Sequence, residues 1–398
     1  MRILFISYWS ISDPLTTATI LPSLRVLSSL EKVDRLIVAT PELRNERMIP
    51  GPEISLPKTQ FIPIKVKSEK NAFGAILFSF QNYKKHLILL AKELGITHIL
   101  ARSALAGSLA FKISRKLDIP FYVESFEPHS RYMLENRVWH TVDPRFLFQN
   151  QLERKIKKYA RGILPVSQAY YRDLVNDGVP IERMKVMPCT IDLKRYDLAQ
   201  RQKARELYGF ANTDIVGIYI GKFDGIYLTD KAFDILAIAH NYFSDYKTVI
   251  LTDYSVRLLS KALERRGISL GTFSIKSVSY EEVPDYLVAA DLAYCFVRPH
   301  RYSYACSPIK NGEYWAAGLP ILIPENIGDD SDIINKEGGG AVFDTNDNAS
   351  VIRALDRIKG IINDPGHKQR IRGLAERYRS PELIEEAYRF FFSTSSKV

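Results

Sequence analysis

The chain has 398 residues, of which 46% are hydrophobic and 25% charged, so it is long enough for two domains that each bury a core of their own. No apolar run approaches the roughly twenty residues of a membrane-spanning helix, so none is expected. The opening residues MRILFISY predict a first strand rather than a signal peptide, and the spacing of Cys189, Cys295 and Cys306 fits unpaired thiols in a reducing cytosol.

The net charge of +10 is concentrated in one half of the chain. Residues 1–200 carry 30 Lys and Arg against 19 Asp and Glu, whereas residues 201–398 carry 25 against 26. An excess of this kind predicts an anionic partner for the first half, such as membrane headgroups or a lipid diphosphate. Solubility alone is the alternative, and nucleic acid is not expected because no recognisable binding module accompanies the charge.

Short apolar runs alternate with helical patterns along the whole chain. This alternation is typical of parallel sheets with crossover helices, and it predicts an α/β protein with two Rossmann-like domains. The predicted strands are 2–7, 35–39, 61–65, 98–101, 121–124, 162–166 and 185–187 in the first half, and 215–221, 248–252, 272–275, 292–296, 320–323 and 340–343 in the second.

The predicted domains are 1–195 and 196–380, followed by a separate helix within 381–398 after the break at Ser380-Pro381. Open parallel sheets bind ligands at the carboxyl ends of their strands. We therefore expect a cleft between the two domains, with functional residues in the turns that lead from strands into helices.

The segment 72–85, AFGAILFSFQNYKK, is apolar over more than one helical face. Aromatic and aliphatic residues with a basic rim can lie on an anionic membrane surface, and a buried core helix is the equal alternative. The basic rim consists of Lys65, Lys67, Lys70, Lys84 and Lys85.

A polar run, ESFEPHS, lies at the end of the predicted strand 121–124. Carboxylate, imidazole and hydroxyl groups at the end of a strand suit sugar recognition and proton transfer. His129 is the first candidate for a catalytic role and Glu127 the second, against the alternative that His129 is a helix cap or a surface residue. Arg102-Ser103, after the strand 98–101, is a weaker candidate of the same kind.

Basic residues follow the first strand of the second half. Gly221 ends that strand, Lys222 begins the loop after it and Lys231 begins the next helix. Fixed cations can stabilise the charge that develops on a diphosphate leaving group, although solvated loop lysines are the alternative. Further along, Ser279 and Glu282 predict a capping box after Val278.

The run SPIKNGEYWAAGLP, which begins at Ser307, predicts a helix that presents its N-terminal end to an anion. Ser307 is predicted as the N-cap with Pro308 in the first turn, and Gly318 ends the helix. Free N–H groups at such a helix start bind phosphate. Lys310 opposes the helix dipole unless an anion compensates it, and Glu313 lies on the same face. An ordinary capped helix with a solvated Lys–Glu pair is the alternative.

The longer stretch SPIKNGEYWAAGLPIL resembles the donor-binding motif of GT-B glycosyltransferases, close to glycosyltransferase family 4 (glycosyl transferases group 1). The resemblance covers roughly residues 160–345 together with the opening strand. It implies a GT-B fold in which two Rossmann-like domains face a central cleft, with the nucleotide-sugar donor on the second domain and the acceptor on the first. Many members carry a second Glu eight positions before Glu313, where this chain has Ala305.

The resemblance also implies roles for individual residues. The helix start would hold the donor diphosphate and Glu313 the ribose, while the turn at Val278 would border the base through backbone atoms. The helix after Ser380-Pro381 would cross back to the first domain. The implied catalytic residues are His129, Glu127, Lys222 and Lys231, and the implied donor-binding residues are Gly221, Val278, Ser307, Pro308, Ile309, Lys310 and Glu313. By its position in the loop between the strand 292–296 and the phosphate-binding helix, Arg298 is a further candidate for a donor contact, with an ordinary surface arginine as the alternative.

These observations predict a glycosyltransferase that moves a sugar from a UDP- or GDP-linked donor to a glycan or lipid-linked acceptor, with the retention of configuration that family 4 implies. We expect no metal and no cofactor, since the chain shows no persuasive Asp-x-Asp cluster. The expected location is the cytoplasm, with peripheral attachment to the inner face of the membrane as an open alternative. A GT-B nucleotide-sugar epimerase and a non-catalytic binding protein of the same fold stay open as alternatives.

Overall fold

The structure is a computed structural model, and it describes residues 1–13, 16–43, 55–66, 73–125 and 127–393. The chain divides into two compact units. One comprises Met1–Pro188 together with the segment that begins at Pro381, and the other comprises Cys189–Ser380. The division therefore falls a few residues before the predicted boundary at residue 195.

The first unit contains a parallel sheet of six strands. Its central strand is apolar after Arg2, and Ile3, Leu4 and Phe5 are each 0% exposed, as expected for a parallel sheet covered on both faces. The strands are β1 (Arg2–Ile6), β2 (Arg35–Leu43), β3 (Thr59–Val66), β4 (His98–Arg102), β5 (Phe121–Ser125) and β6 (Gly162–Pro165). Their order is β3-β2-β1-β4-β5-β6, and every pairing is parallel.

Two crossover helices of the first unit begin at a polar side chain that caps the helix. The Asp143 carboxylate accepts from the N–H of Arg145 at 2.8 Å at one helix start, and the Ser167 hydroxyl accepts from the N–H of Tyr170 at 3.0 Å at another. The helices are α1 (Leu21–Ser29), α2 (Phe73–Glu93), α3 (Ala104–Leu117), α4 (His129–Glu135), α5 (Pro144–Tyr159) and α6 (Gln168–Asn176).

The second unit repeats this plan. Its strands are β7 (Ile215–Ile220), β8 (Tyr246–Leu251), β9 (Phe273–Lys276), β10 (Leu292–Tyr294), β11 (Ile321–Pro324) and β12 (Gly340–Phe343). They lie in the order β12-β11-β10-β7-β8-β9, the same connectivity as in the first sheet, with parallel pairing. Its helices are α7 (Arg201–Tyr208), α8 (Asp230–Tyr242), α9 (Val256–Glu264), α10 (Val283–Ala289), α11 (Ile309–Ala316), α12 (Asp330–Glu337), α13 (Asn348–Ile362) and α14 (His367–Tyr378).

The last helix, α15 (Glu382–Phe392), packs on the first unit. Its apolar face places Ile384, Tyr388 and Phe392 in the same buried cluster as Ile3 and Phe5 of β1. The strong amphipathic pattern of this helix explains the packing, because a stripe of large apolar side chains needs a core to cover it.

The predicted α/β fold with two parallel sheets is confirmed, and one predicted strand is wrong. Near 185–187 the chain forms one bridge, between Met184 and Ile163 of β6, and the N–H groups of Lys185 and Met187 donate to the carbonyls of Ile163 and Pro165. This segment is not a strand, because Pro165 at the end of β6 has no N–H to donate in return. The other predicted strands each overlap an observed one.

Candidate functional site

The second sheet reverses its strand order between β7 and β10, which is where open α/β sheets bind their ligands. Gly221 follows β7 directly, and the loop after β10 leads into α11. The predicted phosphate-binding helix and the predicted basic loop therefore meet at the carboxyl edge of one sheet. The candidate donor site is built on these two elements.

The start of α11 differs from its prediction by one residue. Pro308 occupies the N-cap position with φ −63° and ψ 115°, and no side chain caps the helix. The prediction that Ser307 is the N-cap is wrong, because its hydroxyl instead accepts from the N–H of Cys189 at 3.2 Å and from the guanidinium of Arg379. The N–H groups of Ile309 and Lys310 in the first turn have no carbonyl one turn earlier in the helix.

The end of α11 follows its prediction. The helix stops just before Gly318, which adopts a left-handed φ of +69° and donates its N–H to the carbonyl of Trp315. The chain then enters β11, which is fully buried. The short helix is thus fixed at its C-terminal end, and its N-terminal end is the part that is accessible to a ligand.

Lys310 projects from the first turn of α11 toward the end of β7. A Cβ atom added to Gly221 would lie 3.4 Å from the Lys310 Nζ, so the backbone approaches the ammonium closely at a position without a side chain. Burial lowers the pKa of Lys310, and the charge of Lys222 lowers it further, while Glu313 and Cys295 oppose the shift. Lys222 and Lys310 therefore place two cations near the start of α11, and an anion bound there would stabilise the charged form of both.

Glu313 lies one turn further along the same helix and is 6% exposed. The Tyr196 hydroxyl donates to its Oε1 at 3.0 Å, and within the described ranges no donor reaches Oε2. Burial raises the pKa of Glu313, while Tyr196, Lys310 and Arg195 counteract the rise. The carboxylate is held in place by one oxygen, which leaves the other able to accept a hydrogen bond from a ligand hydroxyl.

Arg195, Tyr196 and Tyr280 belong to the site but were not predicted. The Arg195 guanidinium lies 3.6 Å from the centroid of the Tyr280 ring, and it donates to the Tyr280 carbonyl. Tyr280 lies two residues after Val278, and Val278 itself packs against the core of the second unit. The sequence carries no signal for this group, because the segment around Arg195 has the pattern of a polar linker.

The capping box predicted after Val278 is present in part. The Ser279 N–H donates to the Glu282 carboxylate at 2.9 Å, but Glu282 itself is the N-cap of α10 and no side chain caps that helix. The turn is therefore stiffened by a local hydrogen bond. This bond does not involve the backbone of Val278.

Arg298 and Lys231 have other partners. The Arg298 N–H donates to the Ile226 carbonyl at 2.9 Å and its Nη2 to the Tyr227 carbonyl at 3.2 Å, so it supports the loop whose Tyr227 ring lies 5.8 Å from the Lys310 Nζ. The Lys231 Nζ donates to Asn348 at 2.8 Å, at the start of α13. The structure therefore groups Lys222 with Lys310 and Glu313, while the role of Lys231 stays a prediction.

The first unit holds the predicted pair Glu127 and His129. The His129 Nδ1 lies 2.7 Å from the Glu127 Oε1, and its ring meets Trp139 edge-on at 5.4 Å between centroids. Burial alone would lower the pKa of His129, but the hydrogen bond and charge of Glu127, together with the charge of Glu153, raise it. The weaker candidate Arg102 is buried in the core as the ion-pair partner of Glu124.

From Phe73 onward, the apolar segment 72–85 forms the start of α2. Ala72 and the rim residues Lys67 and Lys70 lie outside the described residues. Phe80 and Tyr83 are buried, and the Tyr83 hydroxyl donates to the carbonyls of Ser7 and Ala39, which favours a core role for this part. The surface beside them is basic, since Lys112, Lys116 and Lys85 all contribute, after burial, to a lowered pKa of Lys84.

The described part of the chain contains neither a membrane-spanning helix nor a metal cluster. In those ranges, no helix is long and apolar enough to cross a bilayer. Among the same residues, no group of three or more His, Cys, Asp or Glu is placed to hold a metal ion. The expectation that no metal is needed stays a prediction.

Comparison with known proteins identifies the fold. No protein-family model matches the chain, and no curated protein sequence matches it. Solved structures match over nearly its whole length. Sucrose-phosphate synthase from Thermosynechococcus elongatus aligns with a TM-score of 0.77 at 14% identity, over 99% of this chain and 100% of that one.

Two further structures agree. WaaG, a glycosyltransferase involved in lipopolysaccharide biosynthesis, aligns with a TM-score of 0.69 at 15% identity, over 98% of this chain and 100% of its own. HepE from Anabaena, solved in complex with UDP-glucose, aligns at 0.67 with 15% identity over 97% of both chains. The chain therefore has the GT-B fold, which confirms the fold implied by the resemblance to family 4.

Proposed function

We propose that the protein is a glycosyltransferase that moves a hexosyl group from a nucleotide-sugar donor to a glycan or lipid-linked acceptor, with retention of configuration. The observation that carries the proposal is the meeting of Lys310 and Lys222 at the start of α11. There, burial lowers the pKa of Lys310 and the charge of Lys222 adds to the shift, while Glu313 opposes it. A donor diphosphate would supply a further anion beside both lysines.

The transfer assigns a role to each part of the site. The bond between the sugar C1 and the diphosphate oxygen breaks, and its electron pair stays on the diphosphate. Lys222 and Lys310 would stabilise that growing charge. An acceptor hydroxyl forms the new bond to C1, and its proton passes to an oxygen of the leaving diphosphate. The Glu313 carboxylate would accept from the ribose hydroxyls, and the turn at Val278 would border the base.

The first unit would receive the acceptor. His129, held by Glu127, offers an imidazole that is charged over a wider pH range than usual, which suits contact with an electronegative sugar oxygen. The basic surface around Lys84 would suit a lipid diphosphate or an anionic headgroup. A sugar-binding imidazole together with a basic surface suits a role in surface polysaccharide or glycoconjugate synthesis at the cytoplasmic face of a membrane.

The fold neighbours supply first substrates to test. UDP-glucose is bound to HepE in its solved structure, and UDP-linked sugars are therefore the first donors to try, followed by GDP-linked ones. The assay is release of nucleoside diphosphate from each donor with and without candidate acceptors, with product analysis by mass spectrometry. Acceptor-dependent release with a glycosylated product is the expected result.

The same assay separates the alternatives. Conversion of the donor into its epimer without any acceptor would identify an epimerase. Tight donor binding without turnover for any donor and acceptor would identify a binding protein, for which the fully buried Ala305 in place of a second Glu would be the first residue to examine. Either result would overturn the transferase proposal.

A further inference from the structure

Arg379 is the penultimate residue of the second unit, and its guanidinium is buried beneath the start of α11. One side of the planar fork donates to the Ser307 hydroxyl and the other to the Asp330 carboxylate. Asp330 is 0% exposed and Arg379 is 3% exposed. A buried ion pair of this kind is costly to desolvate and adds little net stability, so stability alone is a weak explanation for it.

Arg379 is connected to both sides of the first turn of α11, directly through Ser307 and indirectly through Asp330. Ser307 precedes α11, whereas Asn311 in its first turn donates from Nδ2 to the second oxygen of Asp330 at 2.8 Å. Asp330 belongs to the first turn of α12, so the start of α11 is connected to a second helix as well. The turn that carries the N–H groups of Ile309 and Lys310 is therefore fixed before and after those groups.

Gly312 shows how closely Arg379 approaches α11. A Cβ atom added to Gly312 would lie 3.0 Å from the Cγ of Arg379 and 3.3 Å from its Cδ. Glycine in the middle of a helix is unfavourable relative to alanine, so its presence needs a reason. The reason is steric, because the stem of Arg379 crosses the helix at this residue.

Arg379 also contacts the segment at which the chain enters the second unit. Its carbonyl accepts from the Ile191 N–H at 2.9 Å, and its Nη1 lies 3.4 Å from the Cys189 carbonyl. The Cys189 N–H in turn donates to Ser307. The entry and exit segments of the second unit thus share one hydrogen-bonded cluster with the start of α11.

We propose that Arg379 is a positioning residue for the donor diphosphate. It would hold Ser307 and Asp330 so that the first turn of α11 keeps the conformation in which its N–H groups bind the two phosphates. This inference rests on the proposed function. It adds a residue that touches no substrate, and it predicts an effect on phosphate recognition that is separate from any effect on stability.

The test compares binding of a nucleoside diphosphate with binding of the matching nucleoside. UDP and GDP are titrated by calorimetry, and uridine and guanosine by NMR, against the full chain. Arg379→Met removes the guanidinium and keeps most of the stem, and Arg379→Met with Asp330→Asn removes both buried charges and keeps the variant foldable. We expect a roughly tenfold loss of diphosphate affinity in both variants with unchanged nucleoside affinity, the lower end of what loss of a supporting residue costs at metal sites.

Arg205→Met is the matched control. Arg205 is 2% exposed and its Nη1 lies 3.1 Å from Asp291 in the same unit, away from α11. The Arg205→Met substitution should lower the melting temperature without changing the ratio of diphosphate to nucleoside affinity. Arg379→Lys should restore the ratio only in part, because an ammonium cannot bind Ser307 and Asp330 as a planar fork does.

The outcomes are distinguishable. If the wild-type protein binds diphosphate and the ratio is unchanged in both Arg379 variants, or falls equally in Arg205→Met, the positioning role is overturned and the proposed function stands. If the wild-type protein binds neither UDP nor GDP, the proposed function fails, and this inference fails with it.

Discussion

At the scale of single residues, two side chains of the site, Lys310 and Glu313, are buried in surroundings that disfavour their charged forms. The pKa of Lys310 is lowered and the pKa of Glu313 is raised, in both cases with burial as the largest cause. Each shift means that the folded protein disfavours the charged form that neutral pH imposes. A site prepared for a charged ligand is expected to cost stability in this way, because the ligand provides part of the missing solvation.

The first prediction concerns Glu313. Its raised pKa gives a stability contribution that is present below about pH 4.3, the ordinary value, and is lost as pH rises through the folded-state pKa. At neutral pH we therefore expect Glu313→Gln to raise the free energy of unfolding by on the order of 1 kcal/mol. Both Glu313→Gln and Glu313→Ala should weaken nucleoside diphosphate binding by roughly 1.5–3 kcal/mol, since a charged acceptor is lost.

Calorimetry and thermal unfolding check both halves of that prediction. Glu264→Gln, at the exposed end of α9, serves as the control and should change neither quantity. Unchanged ligand affinity in the Glu313 variants would exclude Glu313 from the donor site.

The second prediction compares the two lysines that the sequence suggested for the leaving group. Lys222→Ala should lower kcat by on the order of a hundredfold and change KM much less, because charge on the diphosphate grows in the transition state. Lys231→Ala is the comparison: a comparable loss of kcat would support the catalytic role that the resemblance implies for Lys231, whereas no loss would assign its Nζ to the hydrogen bond with Asn348. Steady-state kinetics of both variants decide the matter, and equal rates for Lys222→Ala and wild type would make Lys222 an ordinary surface lysine.

The third prediction concerns the pair in the first unit. Glu127→Gln removes the charge that opposes burial at His129, so we expect the pKa of His129 to fall below its wild-type value. The raised wild-type pKa stabilises the fold below about pH 6.5, and this contribution is lost as pH rises through the folded-state value. NMR titration of the imidazole measures the shift, and the variant should lose less stability than wild type over that pH range. Identical titration curves would show that the pair is not coupled.

At the scale of elements, α11 shows what sequence can and cannot predict. The helix, its end at Gly318 and the following strand were predictable, since glycine, proline and an apolar run act locally. The role of Ser307 was not, because its partner Arg379 is 72 residues away in the chain. Tyr196 reaches Glu313 across 117 residues, and no local pattern indicates that contact.

The fourth prediction tests the close contact at α11. Helix propensity favours Gly312→Ala, but the Arg379 stem lies 3.0 Å from the new Cβ, so the structure predicts a loss of roughly 1–3 kcal/mol of stability from overpacking. Gly360→Ala in α13 is the matched control, since nothing lies within 4 Å of its Cβ, and it should gain about 0.5–1 kcal/mol. Urea unfolding of both variants gives the comparison. A gain in both would show that α11 and Arg379 are not in tight contact.

At the scale of the whole molecule, the fold was predictable because both units obey the same periodic rule. Buried parallel strands alternate with helices, and each sheet has the same connectivity. The sheet order itself had to come from the structure or from the resemblance, since apolar runs such as β1 and β4 do not specify their neighbours. The uneven charge was visible in the sequence, but the grouping of Lys84 and Lys85 on α2 with Lys112 and Lys116 on α3 was not.

The last prediction concerns these lysines. Burial lowers the pKa of Lys84 on α2, and the charges of Lys112 and Lys116 on α3 and of Lys85 lower it further, as expected for lysines that share one surface. Each such residue near an anionic bilayer contributes about 1 kcal/mol, so the four suffice for reversible attachment that salt should weaken. We expect the protein to co-sediment with liposomes that contain acidic lipid at low salt and to be released at high salt.

Charge reversal separates this surface from the rest of the protein. Lys84→Glu with Lys85→Glu should abolish co-sedimentation, because it turns two attractive charges into repulsive ones beside a membrane of the same sign. Arg257→Glu with Lys261→Glu, on the exposed face of α9 in the second unit, changes the net charge equally and should leave co-sedimentation intact. If wild type stays in the supernatant at low salt, or if both double variants behave alike, the basic surface does not bind membranes. The excess charge of the first half would then point to a soluble anionic acceptor.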